Sequence, residues 1–185
     1  LALVLFFVIG CCGAVLLGRL SDIVDYLLYV DKKTGLPNRE KLNIYIGEMA
    51  GKVLPEAFTC FTLSLDNLSE LTKRFGYTVG DGVLKDFAGL VQLMGDTEGM
   101  RGYNGIGRFV VFFEECSSKK AAAMIRILDN QVEEYNSLNP EYPIRYTATW
   151  ATTEETDTYE IRELLRLSQK KWKQMEKAKE QSSCN

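Results

Sequence analysis

Five cysteines (Cys11, Cys12, Cys60, Cys116 and Cys184) and no histidine set the first limits on the chemistry of this 185-residue chain. Without an imidazole, every mechanism that needs a histidine base is excluded, and a structural zinc site loses its usual nitrogen ligand. No two cysteines form a CxxC pair and their number is odd, so the pattern suits reduced thiols rather than a disulfide framework. The other reactive groups are carboxylates and cations, mixed along the chain with a formal charge of −3. That balance lacks the basic excess of a nucleic-acid binder. Only Lys170, Lys171, Lys173, Lys177 and Lys179 make a locally basic stretch, which reads as a solvated helix face.

The elements that must position such groups follow from the pattern of apolar residues. A hydrophobic fraction of 46% with 25% charged residues is that of a globular protein, long enough for one domain and a short appendage. Residues 1–18, LALVLFFVIGCCGAVLLG, carry no charge, and about 18 such residues make a candidate membrane-spanning helix. A signal peptide would want a basic start and a small-residue cleavage site, neither of which is visible, and a buried core helix is the other alternative. The run begins without Met or a basic flank, so further sequence upstream of Leu1 is expected. Arg19, Lys32, Lys33 and Arg39 follow it, which by the positive-inside rule places the remainder in the cytoplasm. In residues 19–30, Leu20, Ile23, Leu27 and Val30 alternate at steps of three and four. This a/d seam predicts a short helical stalk and a parallel homodimer.

Residues 31–185 then read as one domain. Gly35 and Pro37 break the stalk, and Asn38 caps a helix through Leu42, Tyr45, Ile46 and Met49. Residues 57–65 (AFTCFTLSL) predict a buried strand, 67–75 a short helix stopped by Gly76, and 80–94 a second helix. Two β-rich runs, 100–104 and 108–114, flank the turn-prone Gly105–Gly107 as a hairpin. A helix capped by Ser117, a strand at 144–152 and a last helix from Thr158 to about Lys179 complete the chain. The order β-α-α-β-β-α-β-α predicts an α+β fold: a mainly antiparallel central sheet flanked by helices, containing the ferredoxin-like order.

Three segments carry a resemblance. DKKTGLPNRE (31–40) resembles the D-x-L-T-G-L-x-N-R-R opening of GGDEF (diguanylate cyclase) domains. LSLDNLSELTKRFGYTVGDGVLKDFA (63–88) resembles the I-D-I-D-x-F-K-x-I-N-D-x-x-G-H-x-x-G-D-x-x-L block without a gap as far as Leu84, and YNGIGRFVVFF (103–113) falls where the family has its GGDEF hairpin. The resemblance implies the palm-type GGDEF fold. It also implies a chemistry in which two GTP condense to cyclic di-GMP, one per subunit of an antiparallel dimer. Two carboxylates there hold divalent metal on the triphosphate, and a further hairpin acid assists.

This chain departs from that pattern where the chemistry lies. The metal positions are Ser64 and Gly107, and the second hairpin acid is Arg108. Asp66 remains two residues beyond Ser64, about 6–7 Å along a strand, too far simply to stand in. Ile106 replaces the second hairpin glycine and would crowd the backbone's approach to phosphates. Of the guanine-reading pair, Thr72 replaces an asparagine, while Asp81 is kept, either as a vestigial nucleotide contact or as the N-cap of a helix starting near Gly82. Arg108 could pair with a phosphate, stay solvated, or pair with Glu114 or Glu115. In the last helix, Trp172–Lys173 and Glu176 fall near the family's Tyr and phosphate-binding Lys. Residues 96–99 lack the arginine of its inhibitory product site.

The expectation is therefore a membrane-anchored, catalytically inactive signalling and dimerisation module, without cofactor or nucleic acid, that acts on a signalling partner protein. The alternative is residual binding of GTP or cyclic di-GMP, with Mg²⁺ needed only then. An active cyclase is the remotest reading.

Overall fold

The computed structural model describes residues 2–95 and 99–183, with side chains described from Ala14 onward except at 17, 180, 182 and 183. The elements run α1 (Ala2–Tyr29), α2 (Arg39–Met49), β1 (Thr59–Leu65), α3 (Leu68–Phe75), α4 (Tyr77–Gln92), β2 (Gly99–Gly105), β3 (Arg108–Phe113), α5 (Ser118–Leu138), β4 (Tyr146–Thr152), α6 (Thr153–Thr156) and α7 (Ile161–Ser183). The strands form one antiparallel sheet in the order β2-β3-β1-β4, which is the ferredoxin-like arrangement with added helices.

Strand β1 is buried at every position, because helices cover both faces of the sheet. Its period of two divides the core. Phe61, Leu63 and Leu65, with Phe109, Val111 and Phe113 of β3, pack with residues of α3, α4 and α5. Cys60 of β1, with Val110 and Phe112 of β3, packs on the other face against Leu42 of α2 and Ile161 and Leu164 of α7. The second face also holds a polar seam, in which Ser168 Oγ donates to Thr62 Oγ1 (2.9 Å) and Thr149 Oγ1 donates to Ser168 O (3.0 Å). These pairings satisfy hydroxyls that would be costly to bury alone.

The expected caps are present. The side chain of Asn38 accepts from Lys41 N and that of Ser117 from Lys120 N. Two expectations need correction. Residues 1–18 are not a separate spanning segment. The chain from 2 to 29 is one helix, α1, and among the described residues no helix is long and apolar enough to cross a membrane. The apolar residues run on within the same helix into Arg19, Asp22 and Asp25. Helix α4 begins at Tyr77 rather than Gly80, so Asp81 lies inside the helix and caps nothing. It runs through Gly80 because that glycine lies against Thr72 of α3. A Cβ there would collide with the threonine hydroxyl, so Gly80 permits the close α3–α4 approach rather than starting a helix.

Phe109 anchors the first core face, fully buried and edge-on to Phe87 at 5.3 Å. Phe109→Ala is expected to cost about 3–5 kcal/mol of unfolding free energy in urea titrations. A loss below about 1 kcal/mol would contradict this packing.

Candidate functional site

At one end of the sheet a cavity of about 1010 Å³ opens between the end of β1, the β2–β3 hairpin, α3 and α7. Its wall brings together Ser64, Asp66, Thr72, Ile106, Arg108, Trp172 and Glu176, which the sequence marks, and adds Lys73 and Lys179. The β1–β3 ladder places Ser64 opposite Arg108, and Leu65 N–H donates to Gly107 O at 2.8 Å. The first-strand position and the hairpin tip are thus neighbours, as the resemblance requires.

The hairpin tip has a tight geometry. Gly105, Ile106 and Gly107 all have positive φ (86°, 53° and 70°), and Ile106 is 87% exposed at the cavity rim. For a β-branched residue that backbone is strained. At Gly107 a Cβ would lie 3.2 Å from Leu65 O and 3.3 Å from Leu68 Cδ2, so this hairpin has little room for a side chain there. Tyr103 braces the tip: its hydroxyl accepts from Gly107 N–H at 3.2 Å, while its own N–H donates to Pro37 O at 2.8 Å.

Arg108 does not pair with Glu114 or Glu115. Those residues follow the far end of β3, about 20 Å along the strand, and the guanidinium instead lies 4.5 Å over the ring of Trp172, which is 4% exposed. Asp66 is also engaged. Its Oδ2 accepts from Thr147 Oγ1 (2.6 Å) and Lys179 Nζ (2.9 Å), and Lys179 also reaches Thr147 Oγ1. Trp172, Glu176 and Lys179 meet the cavity because steps of four and three share one helix face. That spacing separates Lys179 from the rest of the basic stretch, which the sequence pattern reads as a solvated face.

The donor set does not fit a divalent metal. Ser64 offers a neutral hydroxyl, Gly107 has no side chain, Asp66 is held by an ammonium, and among the described residues no group of three His, Cys, Asp or Glu could hold a metal ion. Asp81 does not line the cavity. Its Oδ1 accepts from Lys33 Nζ at 2.8 Å, and that bond raises the lysine's pKa. Thr72 lines the cavity, but its hydroxyl donates to Leu68 O (2.8 Å). Of the product-site window, residues 96–98 lie outside the described ones.

Residues 28–183 match the family described as "Diguanylate cyclase, GGDEF domain". No curated protein matches the sequence. Among solved structures, the fold is similar to the coiled coil and GGDEF domain of DgcB from Caulobacter crescentus in complex with c-di-GMP (TM-score 0.65, 15% identity, 82% of this chain and 83% of that one). It is also similar to the FimX GGDEF domain from Pseudomonas aeruginosa (0.63, 18%, 77% and 90%). A third similar structure is the Vibrio cholerae LapD S helix-GGDEF-EAL chain bound to c-di-GMP (0.61, 12%, 73%), of whose length this chain covers 31%. At these identities the likeness is one of fold.

Relieving the strained, exposed tip gives a direct check on its geometry. Ile106→Asn, with a residue that tolerates positive φ, is expected to raise unfolding free energy by about 1 kcal/mol. Gly107→Ala should lower it by at least about 1 kcal/mol. Equal stability of both variants in denaturant titration would contradict the hairpin conformation.

Proposed function

This chain belongs to the diguanylate cyclase GGDEF-domain family, and on that premise we propose that it is a non-catalytic member, a signalling and dimerisation module that makes no cyclic di-GMP. The observation that carries the reading is the pairing of Ser64 with Arg108 beside Gly107: a hydroxyl, a cation and a bare backbone stand where the reaction wants carboxylates. Metal on a triphosphate offsets charge that builds in the transition state, and removing its ligands forfeits several kcal/mol of that stabilisation. Asp66 cannot take over while it accepts from Thr147 and Lys179.

The dimer part of the proposal rests on α1. Leu20, Ile23 and Leu27 are each more than half exposed, and Leu16 extends the same seam by one step of four. Val24, Tyr26 and Leu28 are exposed off the seam as well, so α1 presents more apolar surface than a solvated helix keeps uncovered. A second copy in parallel register covers it, and the domain then relays its state to a signalling partner.

With GTP and Mg²⁺ or Mn²⁺, no cyclic di-GMP above a no-protein blank is expected; product formation abolished by Asp66→Asn would sink the non-catalytic reading. In sedimentation equilibrium the chain is expected to be dimeric, and Leu27→Glu, which puts a charge in each seam, should shift it toward monomer at least about tenfold in dissociation constant. Identical dissociation constants for both proteins would reduce α1 to a tether.

A further inference from the structure

We propose that the outer edge of β4 is a second self-association surface, on which β4 of another copy adds antiparallel and joins the two four-stranded sheets into one. The contact lies apart from α1 and goes beyond the dimer proposed above.

The two edges of the sheet are unlike. At one, β2 is irregular between Tyr103 and Gly105, and Tyr103 N–H already donates to Pro37 O. A bulge and a covering segment both blunt an edge against further pairing. At the other, β4 pairs with β1 in unbroken register from Tyr146 to Thr152 and contains no proline. Asp66 N–H donates to Arg145 O at 2.8 Å and Thr153 N–H to Phe58 O at 3.0 Å, one bond at each end of that ladder. Backbone groups alternate in direction along an antiparallel strand, so these bonds fix the phase. Residues 147, 149 and 151 turn their groups to β1, while Tyr146, Ala148 and Trp150 turn theirs outward. No strand among the described residues pairs with that outward row. A lysine of α7 covers part of it, with Lys171 Nζ donating to Trp150 O at 2.9 Å.

Three features make a second copy the occupant. The first is charge. Arg145 stands at the start of β4, and Glu154 and Glu155 follow its end. Both ends already pair within one copy, Arg145 with Glu70 and Glu155 with Lys171, but these side chains stay 42–60% exposed. Antiparallel addition brings each arginine toward the acidic end of the other copy, whereas parallel addition sets like charges together.

The second feature is the position of α7. Ser168 bonds both Thr62 of β1 and Thr149 of β4, which are cross-strand partners, so the helix straddles the β1–β4 pair. A two-fold axis between the two β4 strands lies one strand spacing, about 4.8 Å, from that line. The two α7 helices then run on the same face about 10 Å apart, within the range of packed helices. They meet along Lys171, Gln174, Met175 and Ala178, which with Ala148 and Trp150 line an open groove of about 550 Å³. The third feature is register. Centred on Ala148, the pairing uses the outward groups of all three residues, with Ala148 opposite its own copy and Tyr146 opposite Trp150. A small residue on the axis and an aromatic cross-strand pair on each side suit that arrangement.

Lys171 sets the strength of the contact. Its ammonium occupies the carbonyl of Trp150 that the second copy's Tyr146 N–H must reach, and lysines on an edge oppose strand addition. The β4 contact is therefore the weaker of the two, and it links α1-joined dimers as concentration rises.

The test is sedimentation equilibrium of the full chain carrying Leu27→Glu, so that the α1 contact is weakened, together with cross-linking. This chain should still dimerise weakly. Adding Lys171→Met frees two carbonyls per dimer and should lower the dissociation constant about tenfold. Ala148→Pro removes an N–H that the β1–β4 ladder does not use, and should abolish the residual association. Thermal unfolding shows whether the proline variant folds, and cross-linking does not depend on it. With Cys11, Cys12 and Cys184 changed to serine, the buried Cys60 and Cys116 remain. In that chain Ala148→Cys should join two copies through a short bis-maleimide, because facing Cα atoms of a hydrogen-bonded antiparallel pair lie about 5.5 Å apart. Lys85→Cys, exposed on α4, should not.

Equal cross-linking of both cysteines, none at Ala148→Cys, or a dissociation constant unmoved by Lys171→Met would each overturn the proposal. Growth of the Leu27→Glu chain past the dimer would also overturn it, since a head-to-tail contact would then cover the edge. Failure at β4 with the Leu27→Glu shift intact leaves the α1 dimer standing. Cross-linking at Ala148→Cys without that shift keeps β4 and removes α1.

Discussion

The antiparallel register of β1 on β3 is the constraint on which the rest of the site depends. It sets Ser64 opposite Arg108 and lets Leu65 N–H close the end of the ladder on Gly107 O. Because alternate residues of a strand face opposite ways, that one register sorts the chain's chemistry. Phe61, Leu63 and Leu65 of β1 and Phe109, Val111 and Phe113 of β3 go to the α3–α5 face, while Val110 and Phe112 join α2 and α7 on the other. Arg108 instead meets Trp172 of α7, on the face that also takes Thr62 and its partner Ser168. A shift by one residue would exchange the two sets and bury the arginine among phenylalanines. The large apolar core on one side therefore holds the polar end of the sheet in register.

The consequence is a site whose charge is supplied by side chains. In the family pattern, acids at the strand and hairpin positions bring metal to phosphate. Here those positions carry a hydroxyl and a glycine, and cations come in from β3 and α7. Asp66, the one acid left at the end of β1, binds Lys179. Cavity, fold and hairpin position are kept, while Lys73, Arg108 and Lys179 outnumber Asp66 and Glu176 on the wall.

The stalk and the site are joined by short, specific bonds. Asn38 Nδ2 donates to Leu28 O at 2.7 Å and its N–H to Tyr29 O at 2.8 Å, which satisfies the last carbonyls of α1. The following residues fold into a turn around the Asp31 carboxylate, which accepts from the N–H and hydroxyl of Thr34. Pro37 O then takes the N–H of Tyr103, whose hydroxyl holds Gly107. The Lys33–Asp81 bond ties the same turn to α4.

Much of this was legible in the sequence where a local signal carried it. The caps at Asn38 and Ser117, the buried run of β1, and the hairpin around Gly105–Gly107 needed only turn chemistry and alternation. Where contact between distant segments decided the outcome, the sequence misled. Gly80 looked like a helix start but is a close-packing residue against Thr72. Arg108 was open between several partners because nothing local places Trp172 beneath it, and Lys179 was hidden among solvated lysines. The apolar run at 1–18 matched a membrane helix by composition, yet it continues unbroken into a helix with charged residues. Whether charge in the cavity comes from side chains or from metal is tested most directly by electron paramagnetic resonance of Mn²⁺ titrated into the protein alone. The account predicts that the free-ion signal is the same with and without protein. Stoichiometric loss of that signal, restored by Asp66→Asn, would show that the cavity holds a divalent ion and would contradict it.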